Sequence, residues 1–199
     1  MKTIQALIPP RRPGMRTTVC FSDGSVLKLI PSVAAESGLY PGMELEQTEL
    51  DRLRTANGAA SAKQRAVRII SAAGVSKGEL ERRLTQKGEA PEDARDAVQW
   101  LADLRLLDDA ETARQIVARG VSRGYGAERI RQMLYEKRIP AEYWDEALET
   151  MPDMTEVLTD FLRKRLGEDP DEKQKQSAFQ AAIRRGYTWS EVREAMEKL

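Results

Sequence analysis

The sequence of 199 residues contains no histidine. That removes the commonest general base and metal ligand, and any Ser–His or Cys–His pair. It has one cysteine, Cys20, so neither an intrachain disulfide nor a thiolate zinc cluster can form. Cys20 alternates with Thr18 and Phe21 and reads as a small packed residue of a strand. Charge of one sign is also lacking, because Lys+Arg and Asp+Glu are equal at 32 each. Whole-chain charge gives no support for nucleic-acid binding, and any basic surface must be local. No stretch approaches the ~18 apolar residues of a membrane span. The apolar run at the start, between Met1 and Pro10, is far too short for a signal segment. With the cysteine count, this points to a reducing, cytoplasmic setting. No Walker loop, dinucleotide fingerprint or G-x-S-x-G elbow is present. We therefore expect no catalytic residue, no metal and no cofactor.

What is present is a repeat. Residues 76–101, 126–151 and 174–199 read as three copies of one helical hairpin. The first copy has Leu80, Leu84, Lys87 and Gly88, then Ala97, Val98 and Leu101. The second has Ile130, Leu134, Lys137 and Arg138, then Ala147, Leu148 and Met151. The third has Ala178, Ala182, Arg185 and Gly186, then Ala195, Met196 and Leu199. Apolar positions four apart form one helix face, and a basic residue falls near the end of that helix. One such unit cannot bury its own stripe, whereas stacked units can, leaving long surfaces that suit large partners.

Residues 1–50 differ. Runs at 3–8, 17–21 and 26–30 are strand-like, and Asp23-Gly24 between the last two signals a tight hairpin. Pro9, Pro10, Pro13 and Gly14 fall in a loop, Ser32 to Ser37 in a helical turn, and Pro41-Gly42 in another turn. The expectation is a β-sheet cap of about three strands, too small to be stable alone. Helix begins near Glu46. Asn57-Gly58 is expected to interrupt it, and Ser61 to cap a helix over 62–73 with Ala66, Ile69, Ile70 and Ala73 inward. Ser76 caps the next helix, Pro91 opens another that carries Ala94, Val98, Leu101 and Leu104, and Asp108-Asp109 starts one that Gly120, Gly124 and Gly126 break. Further helices near 127–137, 141–150, 154–166, 171–185 and 189–198 bring the count to about nine in three triplets. The organisation read from this is a β extension with a linking helix over 1–60, then repeats over 61–107, 108–152 and 153–199.

The most unbalanced stretch is 114–138, with seven basic and two acidic residues. Arg114, Arg119, Arg123, Arg129, Arg131, Lys137 and Arg138 could contact phosphate or an acidic protein groove through forked guanidinium contacts. Gly124 and Gly126 would let backbone approach a partner closely. A solvated helix face with ordinary pairing explains the same charges equally well. Lys87, with Arg65, Arg68, Arg82 and Arg83, could extend such a patch, although Glu79 and Glu81 lie close in sequence. Adjacent Asp108 and Asp109 read as helix caps rather than as a metal pair. Trp100, Trp144 and Trp189 fall near the last helix of each repeat and read as core, while Tyr125 reads as more exposed.

Together, three strings resemble the RecX family, bacterial regulators of the RecA recombinase. They are S-K-G-E-L-E-R-R-L-T-Q-K-G (76–88), L-L-D-D-A-E-T-A (106–113) and V-A-R-G-V-S-R-G-Y-G-A-E-R-I-R-Q-M-L (117–134). The matching positions are Ser76, Glu79, Leu80, Leu84, Lys87 and Gly88; Leu107, Asp108 and Asp109; and Arg119, Gly124, Arg129, Ile130, Leu134 and Lys137. The resemblance covers about residues 62–199, and the β cap is similar to the N-terminal extension of some members. Arg105-Leu106 stands where the family often has Gly-Tyr, Thr112-Ala113 where it often has Tyr-Ala, and Lys137-Arg138-Ile139 where it usually has Lys-Gly-Ile. The resemblance implies a mainly α protein of three tandem three-helix repeats in a curved, elongated array. It implies a protein that binds the groove of a RecA filament on single-stranded DNA and leaves direct DNA contact open; nothing in the sequence suggests an obligate dimer, so a monomer is expected. The implied effect is restraint of filament growth, ATP hydrolysis and strand exchange in recombination, DNA repair and the SOS response, without chemistry of its own. Two other readings stand beside it: a stand-alone DNA-binding protein and a helical-repeat adaptor.

Overall fold

A computed structural model describes residues 1–12, 14–72 and 74–199. Pro13 of the expected loop and Ala73 of the expected inward face lie outside the described residues. The chain divides into two compact units: Met1–Ala73 with Leu80–Leu104, and Gly74–Glu79 with Arg105–Leu199.

In the first unit, strands β1 (Lys2–Ile8), β2 (Thr17–Phe21), β3 (Val26–Leu29) and β4 (Glu44–Leu45) form an antiparallel sheet in the order β3-β2-β1-β4. The expected three strands become four. β4 is only two residues long, too short to leave an alternating pattern, and it pairs Leu45 with Lys2. The Asp23-Gly24 hairpin forms as the sequence suggests, with Gly24 at φ 81° and the Ser25 N–H donating to Asp23 Oδ1 at 2.9 Å. A sheet this small needs a cover. Leu50 and Leu53, at the start of helix α2 (Gln47–Ala72), provide it by packing with Ile4, Val19, Phe21, Leu29 and Leu45. The helical turn expected at 32–37 is α1 (Pro31–Glu36).

α2 runs unbroken for 26 residues, so the expected interruption at Asn57-Gly58 is absent. The residues that looked like breakers make tertiary contacts instead. Asn57 Oδ1 accepts the Ile30 N–H at 2.7 Å and so ties the helix to the end of β3. Gly58 faces helix α4 (Pro91–Asp103), where a Cβ would meet Asp93 Oδ2 at 2.3 Å. Ser61 caps nothing. It is buried within α2 and donates to Glu89 Oε1 at 3.0 Å. Buried Ala62 and Ala66 of α2, with Ala94 and Ala97 of α4, are small residues that suit close helix packing. Ile69 and Ile70 are only half-buried. Leu104, expected among the apolar positions of α4, lies just past the helix and is 51% exposed.

Between α2 and α4 the chain forms α3 (Lys77–Gln86). Its Ser76 cap forms: the Glu79 N–H donates to Ser76 Oγ at 3.1 Å.

The second unit contains α5 (Asp109–Ser122), α6 (Ala127–Glu136), a 3-10 turn (Ala141–Tyr143) with α7 (Trp144–Glu149), α8 (Thr155–Leu166), α9 (Glu172–Arg184) and α10 (Trp189–Glu197). α5, α6 and α7 close on Ala113, Ile116, Val117, Ile130, Leu134, Ile139 and Ala147. α8, α9 and α10 close on Leu158, Leu162, Ala178, Ala182, Val192 and Ala195. Val121 and Met151 pack against both clusters. Burying each Leu or Ile contributes roughly 1.5–3 kcal/mol, so each triplet has a core of its own. Gly120 does not break α5. It lies inside the helix, where a Cβ would meet Ile130 Cγ1 at 2.5 Å, so its missing side chain admits α6. Capping boxes at Asp171/Gln174 and Thr188/Glu191 start α9 and α10.

Candidate functional site

The stretch 114–138 occupies α5, the turn after it and α6. Its seven basic residues do not share one fate. Arg114 pairs with Glu111 at 3.0 Å and Glu146 at 3.3 Å. Arg131 pairs with Glu128 at 2.8 Å, and Arg129 with Gln132 and Glu136. Such exposed pairs add little stability, but they neutralise three of the charges locally. Arg119, Arg123, Lys137 and Arg138 are exposed and have no carboxylate partner among the described residues. They fall at two helix ends. Arg119 and Arg123, four residues apart, share the last turns of α5, and Lys137 and Arg138 follow α6. Exposed Lys87 belongs to the other unit.

The first helix end is held by the third triplet. The carbonyls of Arg123 and Gly124 accept from Arg185 Nη1 at 3.3 and 3.4 Å, and the Arg185 guanidinium stacks 4.2 Å from the Phe161 ring centre. A cation suits the negative end of α5. Tyr187 Oη donates to the Gly124 carbonyl at 3.1 Å, and burial pushes its phenol above the usual pKa, so the donor proton stays. The Gly126 N–H donates to the Arg185 carbonyl at 2.9 Å, and the Glu128 N–H to the Gly186 carbonyl at 3.1 Å. A Cβ on Gly126 would stand 2.3 Å from the Gly186 carbonyl oxygen. The close backbone approach read from Gly124 and Gly126 is therefore used inside the chain, against the turn at 185–187. Arg185 was not among the expected site residues. The signal was there, since it fills the repeat slot held by Lys87 and Lys137.

The second helix end meets the start of α3. The Lys137 carbonyl accepts from Ser76 Oγ. A Cβ on Gly78 would meet Arg138 Cβ at 3.1 Å. Arg138 itself has φ 54°, in the left-handed region that costs a non-glycine residue about 1 kcal/mol. Arg105 shares this conformation at φ 56°. At both positions the sequence departs from a glycine of the resembled pattern, and the backbone has kept the glycine conformation.

The remaining positions are structural. Leu107, Ile130 and Leu134 are buried. Asp108 caps α5 by accepting the Glu111 N–H at 2.9 Å. Asp109 does something different: it is buried and accepts the Lys77 N–H at 2.9 Å, capping α3. Burial pushes its carboxyl pKa up, against the pull of that N–H. Trp144 packs on the core and donates to the Ile139 carbonyl at 2.9 Å. Trp189 does not pack as core; it is 60% exposed and meets the edge of Phe179 at 5.7 Å. Tyr125 is half-buried against the second triplet. Among the described residues no group of three or more Cys, Asp or Glu side chains is placed to hold a metal, and no helix is long and apolar enough to cross a membrane.

Residues 108–148 match the family model for the second three-helix domain of RecX. The regulatory protein RecX of Chromohalobacter salexigens is 38% identical over 135 residues, which cover 66% of this chain and 88% of that protein. That of Xanthomonas campestris pv. campestris strain B100 is 35% identical over 133 residues, 65% of this chain and 82% of that one. Two crystal structures share the fold: a regulatory protein RecX (TM-score 0.69, 21% identity, 99% of this chain and 100% of the other) and RecX from Lactobacillus salivarius (TM-score 0.62, 19% identity, 72% and 97%). The chain belongs to the RecX family.

Proposed function

We propose that this protein binds the RecA filament on single-stranded DNA and restrains its growth, ATP hydrolysis and strand exchange. The reading rests on family membership, since its relatives are named regulatory proteins. The observation that carries it to particular residues is the pair of basic helix ends at Arg119/Arg123 and Lys137/Arg138, with no carboxylate partner among the described residues. Unpaired guanidinium groups offer bidentate contacts to acidic side chains or phosphate. In this account the segments 61–107, 108–152 and 153–199 act as three tandem binding units, and several weak contacts to neighbouring RecA protomers add up. The protein acts as a monomer in the cytoplasm and performs no catalysis.

Replacing Arg119→Glu and Arg123→Glu together tests the assignment. Both side chains are exposed, so the fold should survive, and inhibition of RecA should weaken roughly tenfold or more. Arg114→Glu, which removes a side chain already paired, should change inhibition less. Parent-level inhibition by the double variant would remove this helix end from the interface. Tight binding to naked DNA with a steep salt dependence would favour the stand-alone DNA-binding reading instead.

A further inference from the structure

The first unit has a concave basic site of its own. A cavity of about 240 Å³ is lined by Gly14, Arg16, Ser61, Gln64, Arg65 and Arg68, with Met15, Ile30 and Pro31 forming an apolar margin. The arginines come from two places in the chain. Arg16 precedes β2, while Arg65 and Arg68 project from α2.

Their pairing is unequal. Arg16 is half-buried, yet its guanidinium is held by neutral acceptors: Nη1 donates to Asn57 Oδ1 at 3.2 Å and Nη2 to Ser61 Oγ at 2.8 Å. Arg65 Nε donates to Glu89 Oε1 at 2.6 Å, and Ser61 donates to the same oxygen at 3.0 Å. Arg68 has no acidic partner among the described residues, and its Nη2 lies 3.4 Å from where a Cβ on Gly14 would be. One carboxylate thus faces three guanidinium groups. Asp93, four residues on from Glu89, lies against Gly58. Each guanidinium has five N–H donors, and here most of them are unspent. The network Arg16–Ser61–Glu89–Arg65 fixes two of the forks before any ligand arrives, which lowers the ordering cost of binding.

We infer that this cavity binds a phosphate group. A tetrahedral oxyanion offers several acceptors at once and can meet more than one guanidinium fork. The cavity is below the ~300 Å³ at which sites for whole small molecules begin, so it suits one phosphate with the rest of its ligand outside. The phosphate can be a phosphodiester of a nucleic-acid strand or a free anion. The cavity belongs to the first unit and the helix ends at 119–138 to the second, and the inference does not depend on the recombinase reading.

The test is a titration of the full-length protein, watched through the backbone amide resonances of Gly14, Met15 and Arg16. The probes are inorganic phosphate and a short oligothymidylate. Phosphate should shift these amides, and Arg68→Gln should weaken that response roughly tenfold, as loss of a charge-assisted contact does. Arg68 is exposed, so this variant keeps the fold, and Arg16→Lys, which keeps charge but loses the fork, should also weaken it. If oligothymidylate shifts the same amides, and Arg68→Gln lowers its log–log salt slope by about 0.7, the source is a strand. If only phosphate does so, the source is a free anion and the site stands. If neither probe moves these amides, or Arg68→Gln responds like the parent, the inference is overturned.

Discussion

The middle helix of each triplet ends in the same turn, and the three turns differ in one residue. After α3, α6 and α9 the chain makes the same pair of backbone hydrogen bonds. The Glu89, Ile139 and Tyr187 N–H groups reach back to the carbonyls of Leu84, Leu134 and Ala182, and those of Gly88, Arg138 and Gly186 reach Thr85, Tyr135 and Ile183. This is the Schellman arrangement, which requires a left-handed residue. Gly88 has φ 88° and open space around it, so glycine is needed there for conformation alone. Gly186 has φ 87°, and a Cβ would stand 2.2 Å from the Arg129 nitrogen, so it is needed for conformation and for space. Arg138 carries the same turn with a long charged side chain, exposed to solvent. One local solution thus serves three purposes: a plain turn, a joint between triplets, and a platform for charge.

Substitutions separate these purposes. Gly186→Ala should have the largest effect, about 3 kcal/mol or more of lost stability, because backbone must move as well as strain. Urea unfolding would show it, and a loss below about 1 kcal/mol would mean the joint is loose. Gly88→Ala should cost about 1 kcal/mol, the conformational part alone. Equal losses at the two sites would erase the distinction. Arg138→Gly should gain less than about 1 kcal/mol, since relief of the left-handed strain is partly offset by a more flexible unfolded chain. The same variant should inhibit RecA less well; unchanged inhibition would leave the arginine without a purpose at this turn.

The smallest effect concerns pH, at the start of α3. Asp109 caps α3 while buried, and its folded pKa lies above the ordinary carboxyl value of 3.8. A raised acid pKa gives stability that is present below the unfolded value and lost as pH rises through the folded one. Asp109→Asn keeps an acceptor for the Lys77 N–H and removes the buried charge. The variant should therefore gain on the parent as pH rises from about 3.8 toward neutrality. Chemical unfolding at several pH values checks this, and a gap that narrowed with rising pH would show that the N–H bond outweighs burial.

These contrasts also show what the sequence could and could not tell. Helices with caps were legible, because Ser76, Asp108 and Pro91 act within their own turn. The repeat was legible because its apolar spacing is local. Residues whose reason is tertiary were not. Asn57 and Gly58 look like a break and are contacts to β3 and α4. Gly120 looks like an end and is the groove for Ile130. Gly124 and Gly126 suggest an outside partner and meet the turn at 185–187. The basic stretch was visible as charge, but pairing decided which charges remain: Glu146, 32 positions from Arg114, cannot be read as its partner from spacing.

The most direct test of the central claim is RecA-catalysed ATP hydrolysis on single-stranded DNA, titrated with the full-length protein at substoichiometric ratios. The account predicts inhibition well below one protein per RecA, weakened in the Arg119→Glu/Arg123→Glu variant. Undiminished hydrolysis in the presence of the folded protein would contradict it.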